Sequence, residues 1–140
     1  TGPWGYLYQN AVKRTKIALR DGVLRGILWH QGEGDSSASG IAAYQEQLTR
    51  MLTALRADLD VAAIPFVAGE LGVWDLKKHA GRAAFNRNLA DLPIWVSPSA
   101  VVSSGGLAHK GDGTHFGSAG LREFGKRYAD AMQELQKVPR

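Results

Sequence analysis

Hydrophobic and polar positions along this chain alternate between the patterns of helices and of strands. Helical spacing predicts three long helices, marked by Tyr8, Ala11, Val12, Thr15, Ala18 and Leu19; by Ile41, Tyr44, Leu48, Met51, Leu52, Leu55 and Leu59; and by Leu121, Phe124, Tyr128, Ala129, Met132 and Leu135. A weaker stripe predicts a fourth helix over residues 76–90, which Pro93 ends. Residues 1–6 are expected to form a loop, and either Ser37 or Ser39 to cap the second helix.

Short apolar runs between these helices predict the strands of a sheet. The runs cover residues 24–29, 64–68, 94–96 and 100–102. Because the first run is apolar almost throughout, we expect this strand to be buried on both faces. Strands that alternate with helices form parallel sheets through right-handed crossovers. The pattern therefore indicates an α/β fold, with residues 1–140 in a single domain.

Composition narrows the class of protein without identifying it. The 140 residues are 44% hydrophobic and include no cysteine, which excludes a disulfide framework and thiol catalysis. The chain has no apolar run of about 18 residues, so we expect no membrane partner. Its formal charge is +4, but lysine and arginine are spread over several helices among acidic residues, so we also expect no nucleic-acid partner. We expect a soluble protein; its compartment is left open, with secretion or a bacterial periplasm among the options.

Polar residues follow the predicted strands at the ends where ligands bind in open α/β sheets. Gln31, Gly32 and Glu33 come after the first strand, and Glu70 comes after the second. Because the carboxyl ends of parallel strands meet at one edge, we expect these residues to face a common site. The alternative is that both loops are ordinary turns, in which the glycine and acidic residues only permit the turn conformation and hydrogen-bond the backbone.

The pair Asp112 and His115 carries the clearest chemical signal. A carboxylate three residues before a histidine, in a glycine-rich turn, can reach the ring Nδ1–H, fix the tautomer and leave Nε2 free as a base. We therefore assign both residues as catalytic; a simple helix-entry turn is the alternative. His109, Asp112, His115 and His30 could also form a metal site, but the glycines loosen this loop and we expect no metal.

Two strings resemble a known family. Residues 26–33, Gly-Ile-Leu-Trp-His-Gln-Gly-Glu, are followed by Asp-Ser, and residues 112–116 read Asp-Gly-Thr-His-Phe. Over most of residues 4–130 the chain resembles the sialate O-acetylesterases of carbohydrate esterase family 6, within the SGNH hydrolases. The resemblance implies a three-layer α/β/α, flavodoxin-like parallel sheet. It also implies deacetylation of an acetylated carbohydrate, of the sialate or acetylxylan type, through an acyl-serine and without a cofactor.

The resemblance also implies roles for single residues. His115 resembles the general base and Asp112 its orienting partner. Gln31 would donate its side-chain amide to the oxyanion, and Glu33 would brace the same loop through hydrogen bonds. We group Gly32 and Glu70 with them as oxyanion-binding or substrate-binding residues.

The family's nucleophilic serine is missing from this sequence. In the family it lies far N-terminal to the Trp-His-Gln-Gly-Glu string, and nothing in residues 1–23 matches its block. We therefore expect the chain to be the C-terminal part of an SGNH esterase domain, incomplete and inactive alone, whose partner is an N-terminal segment of the same protein carrying the serine. One alternative is an esterase that uses Ser36, since residues 34–36 spell Gly-Asp-Ser. Another is a catalytically inactive carbohydrate-binding module on the same scaffold.

Overall fold

A three-stranded parallel sheet lies at the centre of the protein in this computed structural model, which describes residues 5–137. The strands, in the spatial order β1-β2-β3, are β1 (Ile27–Trp29), β2 (Phe66–Gly69) and β3 (Ser99–Val102). The α-helices within residues 5–137 are α1 (Gly5–Ala18), α2 (Ala38–Leu59), α3 (Ala80–Leu89), α4 (Leu92–Trp95) and α5 (Ser118–Lys137). A single 3₁₀ turn covers Glu33–Asp35.

Helices cover both faces of the sheet, which confirms the predicted three-layer α/β/α fold. On one face, α2, α3 and α4 pack against the sheet around Leu52, Phe66 and Phe85. On the other face, α5 packs Phe124 and Tyr128 against it. All four residues of β2 are buried, because this strand has a neighbour on each side and a helix layer on each face. None of the helices within residues 5–137 is long and apolar enough to cross a membrane.

The first strand is shorter and more exposed than its apolar pattern predicts. It covers Ile27–Trp29 within the predicted residues 24–29, and it pairs only with β2. Ile27 and Trp29 pack on the α2 side, whereas Leu28 points to the α5 side and is 60% exposed. Within residues 5–137, β1 is therefore an edge strand that is only partly buried, and not buried on both faces as its apolar pattern predicts.

The run at residues 94–96 is not a strand. Ile94 and Trp95 belong to the short helix α4, which carries a proline in its first turn, and Val96 follows the helix in an extended conformation. Proline suits that position because its fixed φ is already helical and its missing N–H has no partner to lose. A three-residue apolar run has too few positions to distinguish a strand from a buried helical turn. The strand predicted at residues 100–102 is present as β3.

The ends of the long helices follow local backbone chemistry. Ser37 caps α2, and its hydroxyl accepts a hydrogen bond from the Gly40 N–H at 3.1 Å. The fourth predicted helix is present as α3, although it begins later than expected. Of the loop predicted over residues 1–6, residues 5 and 6 are already helical and residues 1–4 lie outside the described part of the chain.

Candidate active site

Loops from all three strands meet at the carboxyl edge of the sheet. The β2 and β3 loops are joined by Glu70, whose Oε2 accepts hydrogen bonds from the Ser103 hydroxyl at 2.8 Å and the Ser104 N–H at 2.9 Å. The β1 loop meets the loop after β3 where the His30 ring packs edge-on against Phe116, with 5.8 Å between ring centroids. Topology thus brings together the loops that carry the residues expected at this edge.

Asp112 and His115 are in direct contact. His115 Nδ1 lies 2.7 Å from Asp112 Oδ2, while Oδ1 accepts hydrogen bonds from the N–H groups of Thr114 and His115, each at 2.9 Å. Lys110 Nζ lies 3.3 Å from the same carboxylate. The hydrogen bond to the His115 ring, then those from the two backbone N–H groups, hold the pKa of Asp112 well below its usual range. Asp112 is therefore an anion fixed on the Nδ1 side of the ring.

His115 is presented to solvent with one ring nitrogen engaged. Its side chain is 66% exposed, and Nε2 makes no hydrogen bond with any residue in 5–137. If Nδ1 carries the proton that bonds Asp112, Nε2 has a free lone pair that can accept a proton from an incoming group. This is the geometry that a general base requires.

The loop that carries this pair is held by a residue whose role the sequence did not indicate. His109 forms an antiparallel bridge with Phe116, and its Nδ1 accepts hydrogen bonds from the N–H groups of Gly111 at 2.9 Å and Gly113 at 3.2 Å. Both glycines have positive φ angles, 116° and 67°, which wrap the backbone around the ring. The His109 ring thus supports the loop through Nδ1. No group of three or more metal-binding side chains is arranged to hold an ion within residues 5–137.

The Gln31 side chain is held within its own loop. Its amide Nε2 donates to Asp35 Oδ2 at 2.6 Å, and the backbone carbonyl of Gln31 accepts a hydrogen bond from the Tyr44 hydroxyl at 3.4 Å. The carboxylate four residues on, in the 3₁₀ turn, thus orients this amide. Gln31 also lines a cavity of about 220 Å³, whose other walls are Trp29, Asp35, Tyr44, Gln47, Leu48 and Met51.

Gly32 and Glu33 shape the same loop in different ways. Gly32 is buried with a φ of 142°, and a Cβ there would lie 2.3 Å from the Phe85 ring, so only glycine fits. Glu33 Oε1 lies 3.8 Å from His30 Nε2, too far for a hydrogen bond. The expected brace by this side chain is thus absent within residues 5–137, and the Glu33 carbonyl instead accepts the Ser36 hydroxyl at 2.9 Å.

His30 and Tyr128 connect the end of β1 to the loop after β3. The Tyr128 hydroxyl donates to the Trp29 carbonyl at 2.7 Å and lies 3.4 Å from His30 Nδ1. Burial lowers the pKa of His30, which favours the neutral form of the ring that packs on Phe116. Sequence patterns placed Tyr128 only in the apolar stripe of the last helix, and no motif indicated its second role.

Trp74 is another residue of this edge that the sequence did not single out. Its Nε1–H donates to the Leu107 carbonyl at 2.6 Å, and its ring packs edge-on against His109 and Phe116 with centroid distances of 5.3 and 5.1 Å. The indole therefore joins the β2 loop to the loop that carries His115. A lone tryptophan after a predicted strand offered no pattern from which this could be read.

Hydrolases that use an activated nucleophile share this arrangement, in which a parallel α/β sheet carries an aspartate–histidine pair on a loop at its carboxyl edge. Residues 2–134 match the family described as "Carbohydrate esterase, sialic acid-specific acetylesterase". The chain belongs to this family of carbohydrate esterases, which act on esters.

A plant protein is among its relatives. The chain is 26% identical over 128 residues to a probable carbohydrate esterase of Arabidopsis thaliana, covering 90% of this chain and 47% of the relative. The X-ray structure of that Arabidopsis protein superimposes with a TM-score of 0.80 at 25% identity, covering 93% of this chain and 53% of the other. The chain thus spans about half the length of the relative that it matches.

Proposed function

We propose that this chain supplies the general base, its orienting carboxylate and the oxyanion loop of a serine-dependent carbohydrate O-acetylesterase. The observation that carries the proposal is the 2.7 Å contact between His115 Nδ1 and the Asp112 carboxylate, with His115 Nε2 open to solvent. Membership of a carbohydrate esterase family supports ester hydrolysis as the reaction and carbohydrate as the substrate class. Deacetylation of a sialate or acetylxylan type of substrate is the finer part of the proposal.

The reaction would run in two halves. A serine hydroxyl attacks the acetyl carbonyl while His115 Nε2 takes its proton, and Asp112 stabilises the imidazolium that results. The tetrahedral intermediate collapses, His115 returns the proton to the sugar oxygen, and the deacetylated carbohydrate leaves. A water molecule then attacks the acetyl-serine with His115 again as base, which releases acetate and restores the serine.

Gln31 is our proposed oxyanion donor, with Gly32 shaping its loop. One Nε2–H of Gln31 is held by Asp35 at 2.6 Å, which orients the amide plane and leaves the second N–H available to a ligand. Removal of one oxyanion donor costs on the order of 10²–10³-fold in kcat. We also propose that Glu33 and Glu70 border the site and contribute to substrate binding.

The open edge of β1 supports a preceding segment of the same protein as the source of the serine. Grooves flank this edge on both faces: one of about 320 Å³ beside Leu28 and α5, and one of about 220 Å³ beside Trp29 and α2. An exposed apolar strand edge of this kind is ordinarily paired or covered. The relatives extend to about twice the length of this chain, which is enough for a segment that adds strands there.

The alternative nucleophile, Ser36, has a different hydrogen-bond partner. Its hydroxyl donates to the Glu33 carbonyl at 2.9 Å, and within residues 5–137 no hydrogen bond joins it to His115. A serine activated by His115 would need to lie within about 3 Å of Nε2. This geometry favours an external serine over Ser36.

An acetyl-ester hydrolysis assay on the complete protein, with this chain joined to its N-terminal segment, tests the proposal. We expect Asp112→Asn to lower kcat by about 10³–10⁴-fold, because the amide favours the wrong tautomer of His115. Asp130→Asn, an exposed residue of α5, is the matched control and should leave kcat unchanged. A protein that binds acetylated carbohydrate but releases no acetate would instead identify the inactive binding module.

A further inference from the structure

Two side chains accept the backbone hydrogen bonds of the loop that carries the proposed general base. His109 Nδ1 accepts from the N–H groups of Gly111 at 2.9 Å and Gly113 at 3.2 Å. Asp112 Oδ1 accepts from the N–H groups of the next two residues after Gly113. Backbone N–H groups need a partner, and a side-chain acceptor can supply one where a turn has no ladder bonds. His109 therefore holds the backbone on both sides of Asp112.

The tip of this loop has little else to fix its conformation. At the base of the loop, the Lys110 N–H donates to the His115 carbonyl at 2.9 Å. Within residues 5–137, no backbone–backbone hydrogen bond involves residues 111–114. Glycine adopts many backbone conformations, so the two glycines of the tip do not hold it in place by themselves. The position of the Asp112 carboxylate thus depends on the His109 ring.

The two histidines of this loop have opposite requirements for their ring protons. Nδ1 of His109 receives two N–H donors, so Nδ1 holds a lone pair and the proton of the neutral ring lies on Nε2. His115 directs Nδ1 to the Asp112 carboxylate, so its neutral ring carries the proton on Nδ1 and leaves Nε2 as the base. A second proton would occupy Nδ1 of His109 or Nε2 of His115. Each of these protonations removes an acceptor that the proposed reaction needs.

The surroundings of His109 leave its ring accessible to protons from water, because the residue is exposed. The titratable or charged groups on its own loop and on the elements that pack against it are Lys110, Asp112, His115, Glu70, Asp75, His79, His30 and Arg122. Within residues 5–137, none of these groups forms a hydrogen bond or an ion pair with the His109 ring. A proton on Nδ1 therefore competes directly with the two glycine N–H groups.

We propose that His109 is a positioning residue whose neutral ring holds the Asp112–His115 turn in its active conformation, and that a proton on His109 Nδ1 releases the turn. The proton comes from water, and the N–H groups of Gly111 and Gly113 then donate to water instead. This inference rests on the proposed function, because it names the residue through which the general base is positioned. Histidine ordinarily gains its proton between about pH 8 and 5, so we expect the loss of activity on the acid side of neutrality.

NMR of the complete protein tests the contact without any turnover. At about pH 8, the ring ¹⁵N signals should show the proton of His109 on Nε2 and that of His115 on Nδ1. As the pH falls, the amide signals of Gly111 and Gly113 should follow the titration of the His109 ring. Glycine signals that do not follow this ring, or a neutral His109 with its proton on Nδ1, would overturn the inference.

Two variants of His109 connect the contact to catalysis. His109→Leu removes the acceptor and should lower kcat by about 10- to 100-fold at about pH 8, because the base is then misplaced. His109→Asn places Oδ1 where the histidine has Nδ1, an acceptor that gains no proton in this pH range, and should recover most of that loss. Recovery by asparagine shows that the acceptor is needed, and it holds even if His109→Leu folds poorly.

The acid side of the pH–rate profile distinguishes this role from a merely structural one. In the wild type, log(kcat/KM) for acetate release should fall with a slope approaching two, since a proton on either histidine stops the reaction. In His109→Asn the slope should be one, because only His115 remains to be protonated. His79→Asn is the matched control: His79 Nδ1 also accepts backbone N–H groups, from Trp74 at 3.3 Å and Asp75 at 3.4 Å, but in another loop. Its slope should stay near two.

Equal slopes for the wild type and His109→Asn would overturn the inference, as would a slope of one in His79→Asn. Neither result bears on whether the wild type releases acetate near neutral pH, which the assay with Asp112→Asn measures separately. The NMR measurement needs no activity at all. Failure of the positioning role is therefore distinguishable from failure of the proposed function.

Discussion

Replacement of Gly32 by alanine tests whether the oxyanion loop has the backbone described here. An added Cβ would lie 2.3 Å from Phe85 Cζ, well inside van der Waals contact, and Phe85 is fully buried. The backbone also has a φ of 142°, where a side chain is strained. Overpacking costs about 1–3 kcal/mol and such backbone strain about 1–3 kcal/mol, so we expect a loss of about 2–6 kcal/mol in the free energy of unfolding.

Gly34, two residues on in the same loop, provides the control. A Cβ at Gly34 would meet no atom within 4 Å, and its φ is not in the strained positive range. Gly34→Ala should therefore change the free energy of unfolding by less than about 1 kcal/mol, with stabilisation favoured because alanine restricts the unfolded chain. Urea titration monitored by circular dichroism measures both variants, and an unchanged m-value identifies a change in stability alone.

A double variant separates the two causes. Phe85→Leu shortens the side chain that the new Cβ would meet, so Gly32→Ala should cost less in that background than in the wild type. The remaining cost is the backbone strain. Equal losses for Gly32→Ala and Gly34→Ala would show that the loop does not pass over Phe85 in this conformation.

Two further predictions concern the contacts around the site. Carboxyl NMR titration should show Asp112 losing its charge at a pH well below the ordinary aspartate pKa of about 3.9. His115→Ala should raise the pKa of Asp112 substantially and Lys110→Ala only slightly, because the His115 hydrogen bond is the largest cause of the shift. The depressed pKa belongs to the folded state, so the Asp112 carboxylate stabilises the folded protein at pH values above its unfolded-state pKa, and this stabilisation is lost as the pH falls through its folded-state pKa. An upward shift in Lys110→Ala as large as that in His115→Ala would contradict the conclusion that the His115 contact is the larger cause. Tyr128→Phe should lower the free energy of unfolding by about 1–3 kcal/mol, since it leaves the Trp29 carbonyl without its 2.7 Å donor. Tyr6→Phe, at an exposed position, is the control and should change the free energy of unfolding by less than about 0.5 kcal/mol. Equal effects of Tyr128→Phe and Tyr6→Phe would show that the Tyr128 hydroxyl does not stabilise the fold.

Local chemistry explains why much of the scaffold could be predicted. The β2 strand combines an apolar run with flanking turn residues, and the cap of α2 depends on Ser37 and a backbone N–H three residues away. The contact between Asp112 and His115 is equally local, because a three-residue turn brings the two groups together. Each of these features depends on residues that are close in the sequence.

The remaining features depend on contacts that a sequence pattern does not contain. The Gln31 amide is held by Asp35 because the 3₁₀ turn brings that carboxylate within 2.6 Å of its nitrogen, and the order of polar residues after β1 does not specify this contact. Trp74 reaches Leu107 across 33 residues, and Tyr128 reaches Trp29 across 99. Ile94 and Trp95 are helical because a proline in the first turn of α4 favours the start of a helix there.

Covalent labelling of the complete protein with a serine-directed phosphonate tests whether His115 activates a serine outside this chain. We expect a single modified serine, located by mass spectrometry in the segment N-terminal to this chain, and loss of the modification in His115→Ala. The isolated 140-residue chain should remain unmodified. Modification of Ser36 in the isolated chain, or full labelling without His115, would show that the serine or its activation is not the one proposed.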